Sequence, residues 1–308
     1  MAEGENKWDY LKKTWDTAHK GWLFTVAFLA TLSHVIRAER WRMLLVPVGY
    51  KIKLSNSFFS LMVGYLVNLI IPRGGEVSRC FNLFKLEKTP VEVSFGTVVL
   101  ERIVDVLCLI LLLIISFALE SQKLFAFVDT LPINFSGYSK LTAVFVSLAV
   151  GIIFFIICYW IIRRNIKLKQ FLLKIWNGFK HGLLSIFQLQ NKGLFAFYSI
   201  LIWFIYFTSS YAVLKAFPST SDLGFNAVLS LFAIGAIAMA APLPGGTGSY
   251  HVLVPQALVF LYQIPLTDAV AFTFIFHGWQ TLGFIVFGSL SLVITSFLVK
   301  KKLAKQPS

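Results

Sequence analysis

The sequence alternates between long apolar runs and short basic segments. The runs 141–162, 194–217 and 267–299 each contain at most one charged residue. A helix that crosses a bilayer needs about 20 mostly apolar residues, so each of these runs is long enough to span. The chain is 57% hydrophobic and only 14% charged, with a mean hydropathy of +0.75, whereas soluble domains contain about 25% charged residues. The sequence therefore predicts an all-α integral membrane protein and excludes a water-soluble globule.

The apolar runs divide the chain into three parts. We expect residues 1–20 to form a polar N-terminal segment, 21–299 a single transmembrane domain, and 300–308 a basic tail. A domain of this length has room for about six to eight membrane segments. Within it we distinguish a first repeat, an interfacial helix and a second repeat, over residues 55–119, 168–190 and 226–299.

Basic residues lie between the apolar runs rather than on one polar face. The net charge of +14 therefore indicates membrane topology and not nucleic-acid binding. The first apolar run, 21–36, stops at RAERWR (37–42), whose arginines we expect at a membrane surface. In 168–190, apolar residues alternate with Lys174, Lys180 and His181, which is typical of a helix that lies at the interface.

Two regions of the sequence share one pattern. Each has an apolar stretch, a proline and paired glycines, a short apolar return, a second proline and a long apolar run. Gly74–Gly75 corresponds to Gly245–Gly246, and Pro90 corresponds to Pro265. The pattern favours an internal repeat, with a chance similarity as the alternative.

The basic residues distinguish two topologies for the first break. If 55–71 crosses the membrane completely, Lys85 and Lys88 lie outside, against the positive-inside rule. If the chain instead dips in and returns, three predicted spans separate the two breaks, and the second break enters from the opposite face. We therefore predict two inverted re-entrant helical hairpins, as in transporters with midplane sites. The loop 163–192 and the C-terminus would face the cytoplasm of a bacterial inner membrane.

Charged residues gather at the first break. Non-helical backbone at membrane depth is tolerated only where it is buried in protein or lines a wet cavity, and free N–H groups at broken helix ends attract anions. Arg73 and Arg79 could make forked contacts with a phosphate, while Glu76 could pair with an arginine or accept a proton. The alternative is a simple tight loop at the interface.

More charges follow in the segment LERIVD. Glu101 and Asp105 are one helical turn apart, and Arg102 precedes Asp105 by three residues. Charges inside a spanning helix usually face a polar interior or a partner; alternatively, these residues lie at headgroup level and pair among themselves. We hypothesise that Arg79 and Arg102 contact a lipid phosphate, and that Glu76, Glu101 and Asp105 hold these arginines.

Two histidines lie close to the second break. His251 and His277 are in apolar surroundings, and Gln280 lies on the same predicted helix as His277. A membrane histidine is often a hydrogen-bonded packing residue. Two of them near one break favour proton-linked behaviour, because histidine changes its charge near neutral pH.

Two blocks of sequence carry a family resemblance. VGYLVNLIIPRGGEVSRCFNLFKLEKTPVEVSFGTVVLERIVDVL and PLPGGTGSY resemble the lysylphosphatidylglycerol synthase transmembrane-region family, a flippase-like domain found alone or fused to aminoacyl-lipid synthases. The resemblance covers most of residues 22–298. Carried over residue by residue, it points to Asn68, Pro72, Gly75, Glu76, Arg79, Glu101, Arg102, Asp105, Pro244, Gly245, Gly246 and Gly248. Our candidate substrate site adds Arg73, Gly74, Thr247, His251, His277 and Gln280 to these.

The resemblance has two departures in its second half. Where the family commonly has a glutamate this chain has His251, and where it commonly has an arginine this chain has His277. These departures affect the charge that the second half offers to a headgroup.

The expected function is lipid translocation between leaflets, with a phospholipid or a polyprenyl-phosphate lipid as substrate. No hydrolase, metalloprotease or nucleotide-binding motif occurs, so we expect no enzymatic activity, no cofactor and no metal. The alternatives are a secondary transporter of a small anionic solute and a membrane subunit that recruits a lipid-modifying enzyme. A groove that opens laterally to the bilayer would favour the first function, a closed central pocket the second, and a dry, charge-satisfied break the third.

Overall fold

The protein is all-helical in the residues that its structure, a computed structural model, describes: 7–130, 166–240 and 243–304. The predicted span 141–162 lies outside these residues. The helices are α1 (Lys7–Thr17), α2 (Lys20–Leu45), α3 (Leu54–Asn68), α4 (Gly74–Glu87), α5 (Val91–Thr130), α6 (Ile166–Leu183), α7 (Lys192–Ala216), α8 (Phe225–Ala240), α9 (Ser249–Tyr262) and α10 (Leu266–Leu303).

Several of these helices suit a bilayer. Among the described helices, α2, α7 and α10 are long and apolar enough to cross a membrane. Apolar side chains are also exposed along α5 and α10, among them Ile103, Leu107, Leu290 and Phe297, which in water would be unfavourable over so large a surface. The prediction of a polytopic α-helical membrane protein is confirmed.

Each of the two sequence breaks forms the tip of a helical hairpin. Helices α3 and α4 pack against each other on either side of the first break, and α8 and α9 pack on either side of the second. A proline and a long helix follow each hairpin: Pro90 and α5 in the first unit, Pro265 and α10 in the second. The two units have the same order of helices, with lengths of 15, 14 and 40 residues and of 16, 14 and 38 residues; the 40 residues of α5 include a kink at Glu120, whose backbone is not helical.

The first hairpin has its base at the C-terminal end of α10. There, Lys302 on α10 lies 3.9 Å from Glu87 at the end of α4, and Glu87 also accepts a hydrogen bond from the backbone N–H of Lys53 at 3.4 Å. Toward the tip, Tyr65 packs on Phe284 of α10, with ring centroids 4.9 Å apart. The first hairpin therefore runs from one end of α10 toward its middle.

The second hairpin approaches the middle of α10 from the other end. Its base is where α9 ends at Tyr262 and α10 begins at Leu266. Near its tip, the ring of His251 meets that of His277 on α10 edge-to-face, with centroids 4.7 Å apart. Two helical turns of α10, about 10 Å, separate His277 from Phe284. The two tips therefore point toward each other along α10.

The end of the molecule at the base of the first hairpin is basic. Helix α6, which spans most of the predicted interfacial segment, packs on the first turns of α5 at this end. Glycines permit that approach, because a Cβ at Gly96 would overlap the carbonyl of Phe179, and one at Gly182 the carbonyl of Val93. Basic side chains from several elements share this end: Lys53, Lys85, Lys88, Lys180, Lys300, Lys301 and Lys302.

The opposite end holds the largest cluster of buried apolar side chains, where α7, α8, α9 and α10 meet. In it, Phe217 meets Phe272 edge-to-face, with centroids 5.1 Å apart. Helix α1, from the predicted polar N-terminal segment, packs on α10 at this end through Trp15 and Trp279, with centroids 5.8 Å apart. This apolar core anchors the base of the second hairpin.

The arrangement of the hairpins predicts a membrane topology that labelling can test. Single cysteines at Lys53, Lys85 and Asp222, all exposed positions, are introduced after the three native cysteines have been replaced by serine. In intact cells, a membrane-impermeant maleimide should label Asp222→Cys, and label Lys53→Cys and Lys85→Cys only after permeabilisation, because the positive-inside rule predicts that the basic end faces the cytoplasm. Labelling of positions 53 and 85 from opposite sides of the membrane would contradict the re-entrant hairpin.

Candidate functional site

The acidic side chains of α5 lie at the centre of a buried charged cluster. Glu101, which is 0% exposed, accepts a 2.7 Å hydrogen bond from Nη2 of Arg79 on α4 and lies 3.6 Å from Nη2 of Arg40 on α2. Because burial of a lone carboxylate is costly, these two arginines are what allows Glu101 to be charged in the interior. Glu101 therefore ties α2 and α4 to α5.

Asp105, one turn further along α5, bridges three arginines. Its carboxylate accepts hydrogen bonds from Arg40 at 2.7 Å and from Arg37 at 3.1 Å, and Arg102 on the same helix lies 3.7 Å away. Arg37 also donates to the hydroxyl of Tyr206 on α7 at 2.8 Å. Asp105 thereby connects α2 with α5, and Arg37 extends the network to α7.

Arg79 is held on two sides and has unused donors. Its guanidinium lies over the ring of Trp41 at 4.7 Å from the centroid, while Trp41 donates from Nε1 to Thr97 at 2.9 Å. Among the described residues, neither Nε nor Nη1 of Arg79 has a hydrogen-bond partner. Trp41 and Glu101 thus fix the guanidinium and leave two buried N–H-bearing atoms for another acceptor.

The most exposed ion pair of the cluster joins Arg102 to Glu76 at the start of α4, at 3.2 Å. The side chain of Arg102 is 36% exposed and that of Glu76 15%, whereas the other members are more deeply buried. Exposed apolar side chains flank the pair, including Ile103 and Val77. Arg102 and Glu76 are therefore the members of the cluster nearest the surface, and exposed apolar side chains adjoin them in α5 and α4.

We call this group the arginine cluster, and its formal charges do not balance. It contains four arginines and three acids: Arg37, Arg40, Arg79 and Arg102 with Glu76, Glu101 and Asp105. The net charge is therefore one positive charge in a mostly buried network. Because uncompensated charge is expensive in a low-dielectric interior, an anion that reaches this site is strongly favoured.

Sequence reasoning did not place Arg37 and Arg40 in the candidate site. That the arginines of RAERWR lie at membrane-surface depth stays a prediction, but Arg37 and Arg40 are buried inside the protein, and Arg40 is 0% exposed. The physical reason is that α2 continues unbroken to Leu45 and turns both side chains toward the acids of α5. The segment LERIVD indicates that such partners exist. Its two acids and one arginine leave one negative charge, which requires a basic side chain from another part of the protein.

The first break has fewer free backbone N–H groups than the sequence predicts. The side-chain oxygen of Asn68 accepts a 2.7 Å hydrogen bond from the backbone N–H of Gly75, so this helix-end donor is already used. Gly75 also brings α4 against α3, because a Cβ there would overlap the carbonyl oxygen of Gly64. One of the backbone N–H groups that the sequence offers to an anion is therefore occupied, while the guanidinium of Arg79 lies one turn further along α4.

Some predicted residues of the first break lie at its tip and not in the arginine cluster. Pro72 and Arg73 are exposed there, and Arg73 has a left-handed backbone, with φ 62°. Gly74 begins α4 directly after this turn. These three residues shape the turn that positions Glu76 and Arg79.

The second break is a short 3₁₀ turn, Pro244–Gly246, followed by α9. Glycine is required at Gly246 and Gly248 because their φ angles are 74° and 102°. Thr247 between them is exposed, and Ser249 donates to the carbonyl of Ala238 at 2.6 Å. This hydrogen bond ties the start of α9 back to the end of α8 and closes the tip.

The two histidines form a group at the second tip, which we call the histidine pair. Tyr250 stacks on His277 with centroids 5.5 Å apart, and His277 contacts His251. The Nδ1 atom of His251 is buried and has no hydrogen-bond partner among the described residues. Gln280 lies about one turn further along α10 and is half-buried. The described residues contain no cluster of three His, Cys, Asp or Glu side chains suited to a metal ion.

Comparisons with known proteins agree with these features. The family described as the lysylphosphatidylglycerol synthase TM region matches residues 6–288. A UPF0104 membrane protein of Methanocaldococcus jannaschii is 38% identical over 80 residues, which are 25% of this chain and 24% of that protein. The chain thus covers only about a quarter of that relative's length. No solved structure matches this chain. Because the family match extends over most of its length, the chain belongs to the lysylphosphatidylglycerol synthase TM region family.

Proposed function

We propose that this protein moves a lipid with a phosphate headgroup, a phospholipid or a polyprenyl phosphate, between the two leaflets of its membrane. The observation that carries the proposal is the surplus positive charge of the arginine cluster. A phosphate headgroup cannot enter the hydrocarbon region without polar partners. Guanidinium groups are the side chains best suited to bind its oxygens in pairs.

The exposure of Arg102 and Glu76 beside apolar side chains favours a lipid over a small solute. Arg102 and Glu76 lie beside exposed apolar side chains, so a headgroup could reach them while its acyl chains remain in the bilayer. A solute from water would instead require a pocket that opens toward an aqueous face. The family description, which names a synthase of an aminoacylated phospholipid, also supports a lipid substrate.

Binding would proceed by exchange of partners. An incoming phosphate competes with Glu76 for Arg102, because both are anions within reach of the same guanidinium. It then meets the unused donor atoms of Arg79, whose position Glu101 and Trp41 fix. Return of Glu76 to Arg102 would release the phosphate, so that binding stays reversible.

The two opposed hairpins provide a means of alternating access. Each tip reaches the middle part of α10 from a different end, as in transporters whose inverted repeats rock about a central site. We propose that both hairpins are re-entrant in the bilayer. The first tip would then hold the headgroup on the route from one leaflet, and the second tip on the route from the other.

Arg79→Lys should reduce lipid movement at least about tenfold, a difference of ~1.4 kcal/mol. Lysine can keep the charge opposite Glu101 but cannot present the second pair of donors. The measurement is leaflet exchange of a fluorescent phosphatidylglycerol in reconstituted vesicles, with thermal unfolding followed in parallel. Arg42→Lys is the matched control, since Arg42 is partly exposed and pairs only locally with Glu39. A stable Arg79→Lys protein with the unmodified rate would place the site elsewhere.

Glu76→Gln should slow turnover and leave folding nearly intact. Without the competing carboxylate, Arg102 would hold the phosphate longer, so the lipid should bind more tightly while it exchanges more slowly. Equilibrium binding of the fluorescent lipid in detergent and its exchange rate in vesicles separate these two effects. The idea fails if binding and exchange both remain unchanged in a folded Glu76→Gln protein.

The histidine pair should make lipid exchange depend on pH. Two imidazoles in contact cannot both carry a charge cheaply, but one proton taken up as the pH falls would add a positive charge at the second tip. Replacing His251 and His277 together by glutamine should therefore flatten the pH profile of exchange. His181→Gln on exposed α6 serves as the control. An unaltered profile in the double variant would assign both histidines to packing alone.

A further inference from the structure

Three rings from three different helices meet between the two hairpin tips. His34 on α2 lies 4.9 Å from Tyr65 on α3 and 5.6 Å from Phe284 on α10, measured between ring centroids. Tyr65 and Phe284 are 4.9 Å apart. Each ring thus contacts the other two, and we call this group the aromatic trio.

The aromatic trio lies between the arginine cluster and the histidine pair. On α2, His34 is one helical turn from Arg37, a member of the arginine cluster. On α10, Phe284 is two turns from His277, with Gln280 between them on the same side of the helix. Along α2 and α10, the ring contacts of the trio therefore lie between the two polar groups.

The composition of the trio is unusual for simple packing. All three side chains are only half-buried, and the Nδ1 atom of His34 is buried with no hydrogen-bond partner among the described residues. An unsatisfied buried polar atom is unfavourable, and an aliphatic side chain in the same place would avoid this cost. His34 therefore stabilises the packing of the three rings less than an apolar ring at the same position would.

The backbones of α3 and α10 are packed closely beside the trio. One turn beyond Phe284, Gly288 brings α10 against α3, and a Cβ there would lie 2.7 Å from the Cβ of Leu66 and 3.0 Å from the carbonyl oxygen of Met62. Close packing without a side chain leaves little space to adjust. The rings can change rotamer without displacing the backbones of α3 and α10, so they are the part of this contact that can open most easily.

We propose that His34, Tyr65 and Phe284 form the barrier that a lipid headgroup passes on its way between the arginine cluster and the histidine pair. His34 supplies the polar contact at that barrier through its Nδ1 atom, which has no hydrogen-bond partner in the described part of the chain. This inference rests on the proposed lipid movement. It assigns a role to three side chains outside the substrate site expected from the sequence.

Changing the size of Phe284 tests the barrier. Phe284→Ala should speed exchange of fluorescent phosphatidylglycerol at least threefold, and Phe284→Trp should slow it by a similar factor, because the ring itself obstructs the route. Phe287→Ala and Phe287→Trp are the matched controls, since Phe287 lies on the same helix and is 41% exposed. They should leave the rate unchanged.

His34→Phe tests the polar contact separately. It keeps a ring in the barrier but removes the nitrogens, so exchange should slow while thermal stability stays equal or rises. If the three rings only pack against each other, Phe284→Ala and Phe284→Trp should both lower thermal stability, and neither should speed lipid exchange. This variant also keeps the test decisive if Phe284→Ala does not fold.

The outcomes separate the barrier from the proposed function. If the unmodified protein moves lipid, Arg79→Lys does not, and the Phe284 and His34 variants all exchange at the unmodified rate, the barrier is wrong and lipid movement stands. If the unmodified protein moves no phosphate lipid in vesicles of any tested composition, the proposed function is wrong and the barrier is wrong with it. Opposite changes in Phe284→Ala and Phe284→Trp would support both.

Discussion

The buried ion pairs of Glu101 and Asp105 determine how the helices around them are arranged. These two acids lie on one face of α5 and bind arginines from α2 and α4. Removal of one partner from a buried pair typically costs about 3–5 kcal/mol, since it strands the other charge. The requirement to keep every charge paired therefore fixes α2, α4 and α5 relative to one another. It also fixes the first hairpin, because Arg79 lies one turn beyond its tip.

A second constraint is close contact between backbones at glycines. Gly75 against Gly64, Gly288 against α3, and Gly182 against α5 each bring two helices together at a place where a side chain would overlap main-chain atoms. In a bilayer, where apolar surface gains little by leaving lipid, such contacts are a major source of helix association. The ion pairs decide which helices face each other, and the glycines decide how closely they pack. Together they hold two opposed hairpins against one long helix.

Much of this arrangement could be predicted from local sequence. The apolar runs indicated a polytopic helical protein, and the Pro and Gly breaks marked both hairpin tips. The i, i+4 spacing of Glu101 and Asp105 indicated a shared face, and the structure gives them partners. What local sequence could not supply was pairing over long separations, since Arg40 and Asp105 meet only because α2 and α5 pack together. Asn68 was similarly ambiguous: an amide near a break can face a ligand, and here it binds the Gly75 N–H.

The unbalanced charge of the arginine cluster has a consequence for a protein in an energised membrane. Moving one elementary charge completely across the membrane changes its electrostatic energy by about 2.3 kcal/mol per 100 mV. For a charge held part of the way across, the change is a corresponding fraction of that energy. Four arginines and three acids leave one such charge while the cluster is empty. A singly charged phosphodiester would cancel it. The membrane voltage would therefore act on the empty protein and on the occupied protein with different force, so that the electric field biases which of them changes conformation.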